Sequence, residues 1–233
     1  MNEYLNFLKG PQNETFEHAL NRFAAFCRSL HSFEYEGEVY EALFDAFYES
    51  GEIFERQSVA EEHISKIEDQ YEVQLPLRLR SVIAKPFQIY SVRNIDGRWG
   101  DRTILDINKR SEHFPWILAL HPFSSAISWN FGDDFLKAEI SDEQSKKLDR
   151  QYFGFGRWSD DDHVSTYLMF DRNGKFGRFK FVSDDSIATM QALTPFLIGE
   201  SLTEDLDELM VWAIDNAMIA LLDVNEVPSV NTA

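Results

Sequence analysis

Ser58 to Ile83, SVAEEHISKIEDQYEVQLPLRLRSVI, constrains the fold more than any other stretch of the chain. It reads as an amphipathic helix, a short break, and a second helix opened by Leu75-Pro76. Ser58 and Glu61 stand at capping-box spacing, where a hydroxyl and a carboxylate satisfy exposed amides reciprocally. Ala60, Ile64, Ile67 and Tyr71 recur on one face, as a half-buried helix requires. Pro76 suits a first helical turn, because the N–H it lacks would have had no intrahelical partner there. Leu75, Leu79, Val82 and Ile83 form the second apolar face.

Tyr152 to Val182 is the clearest β region. YFGFG and HVSTYLMFD read as strands on either side of the loop Arg157–Asp162. Asn173-Gly174 predicts a two-residue hairpin turn, since both residue types accept positive φ. In KFGRFKFV, Phe176, Phe179 and Phe181 alternate only approximately, and Gly177 is the expected site of a bulge.

Together these two segments resemble the SUKH superfamily, which includes fungal cell-wall assembly regulators, bacterial Syd-like proteins and many bacterial toxin-immunity proteins. The resemblance at the entry rests on Ile67, Glu68, Tyr71, Leu75, Pro76 and Leu79. In the β region it rests on Gly154, Gly156, Asp162, Tyr167, Phe170, Asp171 and Gly174. It implies an α+β fold: a twisted, mainly antiparallel sheet with helices packed mostly on one side, to which the residues before it add an N-terminal helical extension. The expected divisions are a helical extension over residues 1–56, a SUKH-like domain over 57–224 and a flexible tail over 225–233. The resemblance also implies a protein-binding module without catalytic residues or cofactor. Many bacterial members neutralise a toxin by occluding it.

The rest of the chain supplies further elements. Phe16, Leu20, Phe23, Cys27 and Leu30 make one helical stripe, and Tyr40, Leu43, Phe44, Phe47 and Tyr48 another, with Gly51 placed as a cap. Phe87–Val92 and Arg102–Ile107 read as strands around an Asp96-Gly97 turn. Phe114 to Phe131 is expected to be buried and partly extended. Lys137 to Arg150 suits a surface helix with Ser141 and Gln144 at capping spacing. Ser186 to Leu193 predicts a helix stopped near Pro195. Ser201 and Glu204 predict a capping box before a long helix carrying Leu206, Leu209, Met210, Ala213, Ile214, Ala217 and Leu221. Asn225 to Ala233 reads as a frayed tail.

Charge narrows the range of partners. The net charge is −18. Residues 1–56 carry 11 acids against 4 bases and residues 151–233 carry 14 against 5, whereas residues 57–100 carry 6 of each. Such a surface repels phosphate backbones and anionic membranes and favours a basic protein. At 44% hydrophobic residues, with twenty Phe, the chain is too apolar for disorder. The single cysteine, Cys27, excludes an internal disulfide. MNEYLNFLKGPQNE has no basic leader or apolar run, and Leu209–Leu222 is too short and polar to span a bilayer. A cytoplasmic protein is expected.

The loop Arg157-Trp158-Ser159-Asp160-Asp161-Asp162-His163 offers the candidate partner contacts. Trp158 is an anchor, and Asp160, Asp161 and Asp162 supply steering charge. As metal ligands the three aspartates diverge, because consecutive side chains point in different directions. Asp171-Arg172-Asn173-Gly174 begins like a calcium loop but has Phe176 and Val182 where glycine and glutamate are needed. Gly154-Phe155-Gly156 lacks the third glycine of a dinucleotide loop and leads into acid. Cys27 and His31 lie four apart on a helix, without an orienting acid, and read as structural. The resemblance, joined to this acidity, implies an immunity protein for a basic, nuclease-type toxin. The alternatives are a cell-wall or secretion-linked regulator of the same superfamily, or a metal-dependent hydrolase using residues 160–163.

Overall fold

The structure, a computed structural model, describes residues 7–8, 10–31, 61–83, 88–95, 98–107, 121–128, 138–159 and 164–224. Its frame is a six-stranded sheet of β1 (Gln88–Ile95), β2 (Arg98–Ile107), β3 (His121–Pro122), β4 (Tyr152–Ser159), β5 (Val164–Asp171) and β6 (Phe176–Val182). The order is β1-β2-β4-β5-β6, with β3 beside β4, and every pairing is antiparallel. The first two strands form the hairpin expected around Asp96-Gly97; that turn itself lies outside the described residues. So do Ser58, Tyr40–Gly51 and Asn225–Ala233.

The core follows from the alternation of side chains along β4–β6. Leu168 and Phe170 face one side of β5, and Tyr167 and Met169 the other. The strand is buried from Ser165 to Asp171 without interruption, as a strand covered on both faces should be. Among the described residues the cover comes from helices α1 (Phe16–His31), α2 (Glu61–Tyr71), α3 (Leu77–Ile83), α4 (Phe123–Ser128), α5 (Asp142–Gln151), α6 (Ser186–Ile198) and α7 (Leu206–Val224). Phe26 of α1, Ile64 of α2, Leu79 of α3 and Leu209 and Ile214 of α7 pack on the first face. Phe123 of α4, Leu148 of α5 and Leu193 and Phe196 of α6 pack on the second. The class is α+β with an antiparallel sheet, as expected. Among the described residues the helices divide between both faces, instead of gathering mostly on one, because both faces of β5 are apolar. The N-terminal helix α1 shares the core of the sheet and α7.

β4 changes parity at Phe155. Phe153 lies opposite Phe170, whereas Gly156 lies opposite Leu168, so Phe155 is an extra residue. This bulge lets Phe153, Phe155 and Trp158 all join one core, although strict alternation would separate Trp158 from the two phenylalanines. Gly177 marks no bulge: β6 pairs with β5 in unbroken register. Gly177 instead leaves room for Leu202, whose Cδ2 would lie 2.9 Å from a Cβ there.

The two segments that carried the family resemblance touch. Helix α2 ends at Glu72 with φ 50. The Leu75 amide donates to Oε1 of Glu68 at 2.8 Å, and Arg80 of α3 pairs back to Glu68 and Glu61. Opposite this corner is the β5–β6 turn. Arg172 donates to the carbonyls of Glu72 at 2.6 Å and Tyr71 at 3.2 Å, with its guanidinium 5.7 Å from the Phe153 ring centre. A Cβ on Gly174 would be 3.5 Å from Cγ of Pro76. The turn differs from a two-residue hairpin with two positive φ angles. Only Gly174 is left-handed, at φ 74, and its amide closes onto the Asp171 carbonyl at 2.9 Å. The Asp171 carboxylate makes this geometry favourable by accepting the Asn173 and Lys175 amides.

Two helix limits also differ from expectation. Helix α6 continues through Pro195 to Ile198, and the Thr194 hydroxyl donates to the Met190 carbonyl at 2.8 Å. It ends at Gly199, φ 80, where the Gly199 and Glu200 amides close onto Phe196 and Pro195 carbonyls in a Schellman pattern. The box that caps α7 is Asp205 with Glu208, bonded reciprocally at 2.8 and 3.0 Å. Glu204, expected to be part of a box with Ser201, is used elsewhere. The Ser141–Gln144 box of α5 forms as the sequence predicts.

Candidate functional site: a groove at the β6 edge

Among the described residues β6 is the sheet's last strand, and one side of its backbone has no neighbouring strand there. After α6 the chain crosses this edge, from the second face to the first, on its way into α7. Leu202 lies against Gly177, and Glu204 pairs with Phe176 in a single antiparallel bridge. Beyond that bridge the crossing segment, α6 and α7 leave a groove of about 500 Å³. Arg178, Lys180 and Thr166 line it from the sheet, Pro195 and Phe196 from α6, and Trp212 from α7.

Charged and aromatic groups interlock at one end. Arg178 pairs with Glu204, and its guanidinium lies 4.5 Å from the Trp212 ring centre. Such stacking holds a planar cation well. Trp212 in turn meets Trp158 edge-on, with ring centres 5.7 Å apart. The second Glu204 oxygen, Oε2, is buried and has no hydrogen-bond partner among the described residues. Lys180 is exposed two residues along β6, opposite Thr166, and among the described residues it has no ion-pair partner. The groove therefore offers a cation, hydroxyls of Thr166, Ser201 and Thr203, and an apolar wall. These are groups for recognition by contact and hydrogen bonding.

The residues picked out in the sequence fall differently. Trp158 is 8% exposed and belongs to the core behind Trp212, so its ring is not a surface anchor. The reason is that β4 runs on to Ser159, so Trp158 is a strand residue and not part of the expected loop, and the bulge at Phe155 turns it to the face that holds Trp212. The Trp158 Nε1 has no hydrogen-bond partner among the described residues. Asp160, Asp161, Asp162 and His163 lie outside the described residues, and so do the side chains of Cys27 and His31. Among the described residues no group of three or more His, Cys, Asp or Glu could hold a metal ion. No helix among them is long and apolar enough to cross a membrane.

Sequence reasoning missed the groove because its walls come from β6, α6, the crossing segment and α7. The available signal was the alternation Arg178-Phe179-Lys180-Phe181, a strand with one cationic and one apolar face. Only the strand order makes it an edge. Comparison with protein-family models, with curated proteins and with solved structures finds no match for the chain.

Proposed function

We propose that the chain is a non-catalytic protein-binding module of SUKH type. It acts as a cytoplasmic immunity protein that neutralises a basic, nuclease-type toxin by occluding it. The disposition of charge carries this reading. Arg22 is held by Glu14 and Asp215, Arg78 by Glu17 and Asp207, Arg80 by Glu61 and Glu68, and Arg178 by Glu204. With these arginines engaged by neighbouring carboxylates, acids remain uncompensated at the surface. Glu62, Asp69, Glu139, Asp142, Asp184 and Glu200 are exposed and have no cationic partner among the described residues. A nuclease presents cations to the phosphates it cleaves, and an acidic protein competes for the same surface. Complementary charge also speeds encounter.

The test is protection. A cationic nuclease toxin encoded in the neighbouring reading frame should bind the purified chain, with affinity falling as salt rises. Cells producing that toxin should survive when the chain is co-expressed. No binding at low salt, together with unprotected cells, would overturn the reading.

A further inference from the structure

The outer edge of β6 is closed at two places and open between them. Phe176 exchanges its N–H and its carbonyl with Glu204, at 3.0 Å each. Val182 does the same with the Thr189 hydroxyl: its N–H donates to Oγ1 at 2.9 Å, and Oγ1 donates to its carbonyl at 3.0 Å. In an antiparallel strand the N–H and C=O of one residue point the same way, and the direction alternates along the chain. Arg178 and Lys180 therefore turn their backbone groups outward, in line with Phe176 and Val182. Among the described residues nothing pairs with these four groups. They lie at the groove, which Gly177, Arg178 and Lys180 line from the strand side.

We propose that this window receives one extended segment of a partner protein, added antiparallel to β6 as a short further strand. The Glu204 bridge already shows antiparallel pairing on this edge, and two more rungs at Arg178 and Lys180 would satisfy all four open groups. Register then fixes the chemistry of the segment. The residue opposite Lys180 shares a face with that ammonium group, so it is acidic. The next residue points to the other face, over Ala192, Pro195 and Phe196, and is apolar. The third lies opposite Arg178, whose guanidinium is already held by Glu204 and Trp212, and is small and polar. Read from N to C, the occupant is acid, apolar, small polar. This segment differs in chemistry from the cationic surface proposed above, and the inference stands independently of that reading.

The probe is a labelled synthetic peptide with a Glu-Leu-Ser core, titrated into the full chain and followed by fluorescence anisotropy. Saturable binding is expected. Methylating the serine backbone nitrogen, which faces β6, abolishes it, while methylating the leucine nitrogen, which faces away, leaves it intact. Lys180→Glu weakens binding of the Glu-Leu-Ser peptide about tenfold and strengthens binding of a Lys-Leu-Ser peptide by a similar factor. Lys180 is exposed, and circular dichroism checks that the variant folds. Three results would overturn the proposal. One is no saturable binding at millimolar peptide, which would leave Lys180 as a charge that merely keeps other strands off the edge. The others are binding indifferent to which nitrogen is methylated, and binding unchanged by Lys180→Glu.

Discussion

Asp171 is 1% exposed, yet its carboxylate is fully engaged. Oδ1 accepts the Asn173 and Lys175 amides at 2.9 and 3.0 Å, and Oδ2 accepts the Leu202 amide at 3.1 Å. One side chain thus shapes the β5–β6 turn and fixes the crossing segment that forms one end of the groove. Asp171→Ala leaves three amides without an acceptor, and a loss of about 2–4 kcal/mol is expected from urea unfolding. Asp171→Asn keeps one acceptor oxygen and should lose about half as much. Tyr152 gives a residue-scale pH effect. It is fully buried, and its hydroxyl donates to the Glu200 carbonyl at 2.6 Å. Burial, then the negative charges of Asp171 and Glu200, push its pKa up to about 12. An unfolded tyrosine ionises near about 10, so this group's contribution is intact below that pH and is lost as pH rises toward 12. Tyr152→Phe should cost about 1 kcal/mol at neutral pH for the lost hydrogen bond and flatten the alkaline fall in stability. Thermal melts of both proteins against pH check this; parallel curves would assign the alkaline loss to other groups. Neither role was legible in the sequence, where Asp171 reads as a turn residue and Tyr152 as a strand aromatic. Each depends on a segment about thirty or more residues away, a separation that local pattern does not span.

At the scale of elements, local signals succeeded where a single side-chain pair decides the structure. Ser141 and Gln144 form their box because both are exposed and nothing competes for them. Ser201 and Glu204 have the same spacing and form none. Glu204 is drawn into the β6 edge by its backbone and to Arg178 by its carboxylate, and Asp205 and Glu208 cap α7 instead. Asp205→Ala should therefore destabilise by about 1 kcal/mol, whereas Ser201→Ala should fall within about 0.5 kcal/mol of the parent in denaturant melts. The reverse order would return the cap to Ser201. Strands posed a different difficulty. Period two is readable only while register holds, and the bulge at Phe155 breaks it between Phe153 and Trp158. The sequence places Trp158 in a loop and hence at the surface, whereas β4 continues through it and the shifted register sends it to the face of Phe153 and Phe155. The helix through Pro195 was missed for a related reason: the cost of a proline is a local penalty, and packing of Leu193 and Phe196 against the sheet outweighs it.

Across the whole molecule, the sequence makes the excess of acid plain but not which cations are engaged. Arg78 of α3 joins Glu17 of α1 to Asp207 of α7, and Arg22 of α1 joins Glu14 to Asp215 of α7. These ties bring α1 and α7, which come from the two acid-rich ends of the sequence, onto one core. Arg22 differs from the others by burial. Burial alone would lower its pKa, but the Glu14 and Asp215 carboxylates outweigh that and raise it. Burial raises the pKa of Asp215 against the pull of Arg22. The exposed ties around Arg78 and Arg80 contribute little, roughly 0–1 kcal/mol each, and salt screens them. Salt also screens the repulsion of a chain carrying −18, which acts over the whole surface, whereas the buried Arg22 cluster is largely shielded from it. Repulsion should dominate, so the melting temperature should rise between low salt and about 0.5 M sodium chloride, where the Debye length falls to roughly 4 Å. Arg78→Gln frees Glu17 and Asp207 and should steepen that rise. Arg22→Gln leaves Glu14 buried without its cation, a loss of about 3–5 kcal/mol that added salt does not restore. Calorimetry of the three proteins across the salt range decides it: a parent melting temperature that falls with salt would mean the arginine ties, not the excess acid, govern stability.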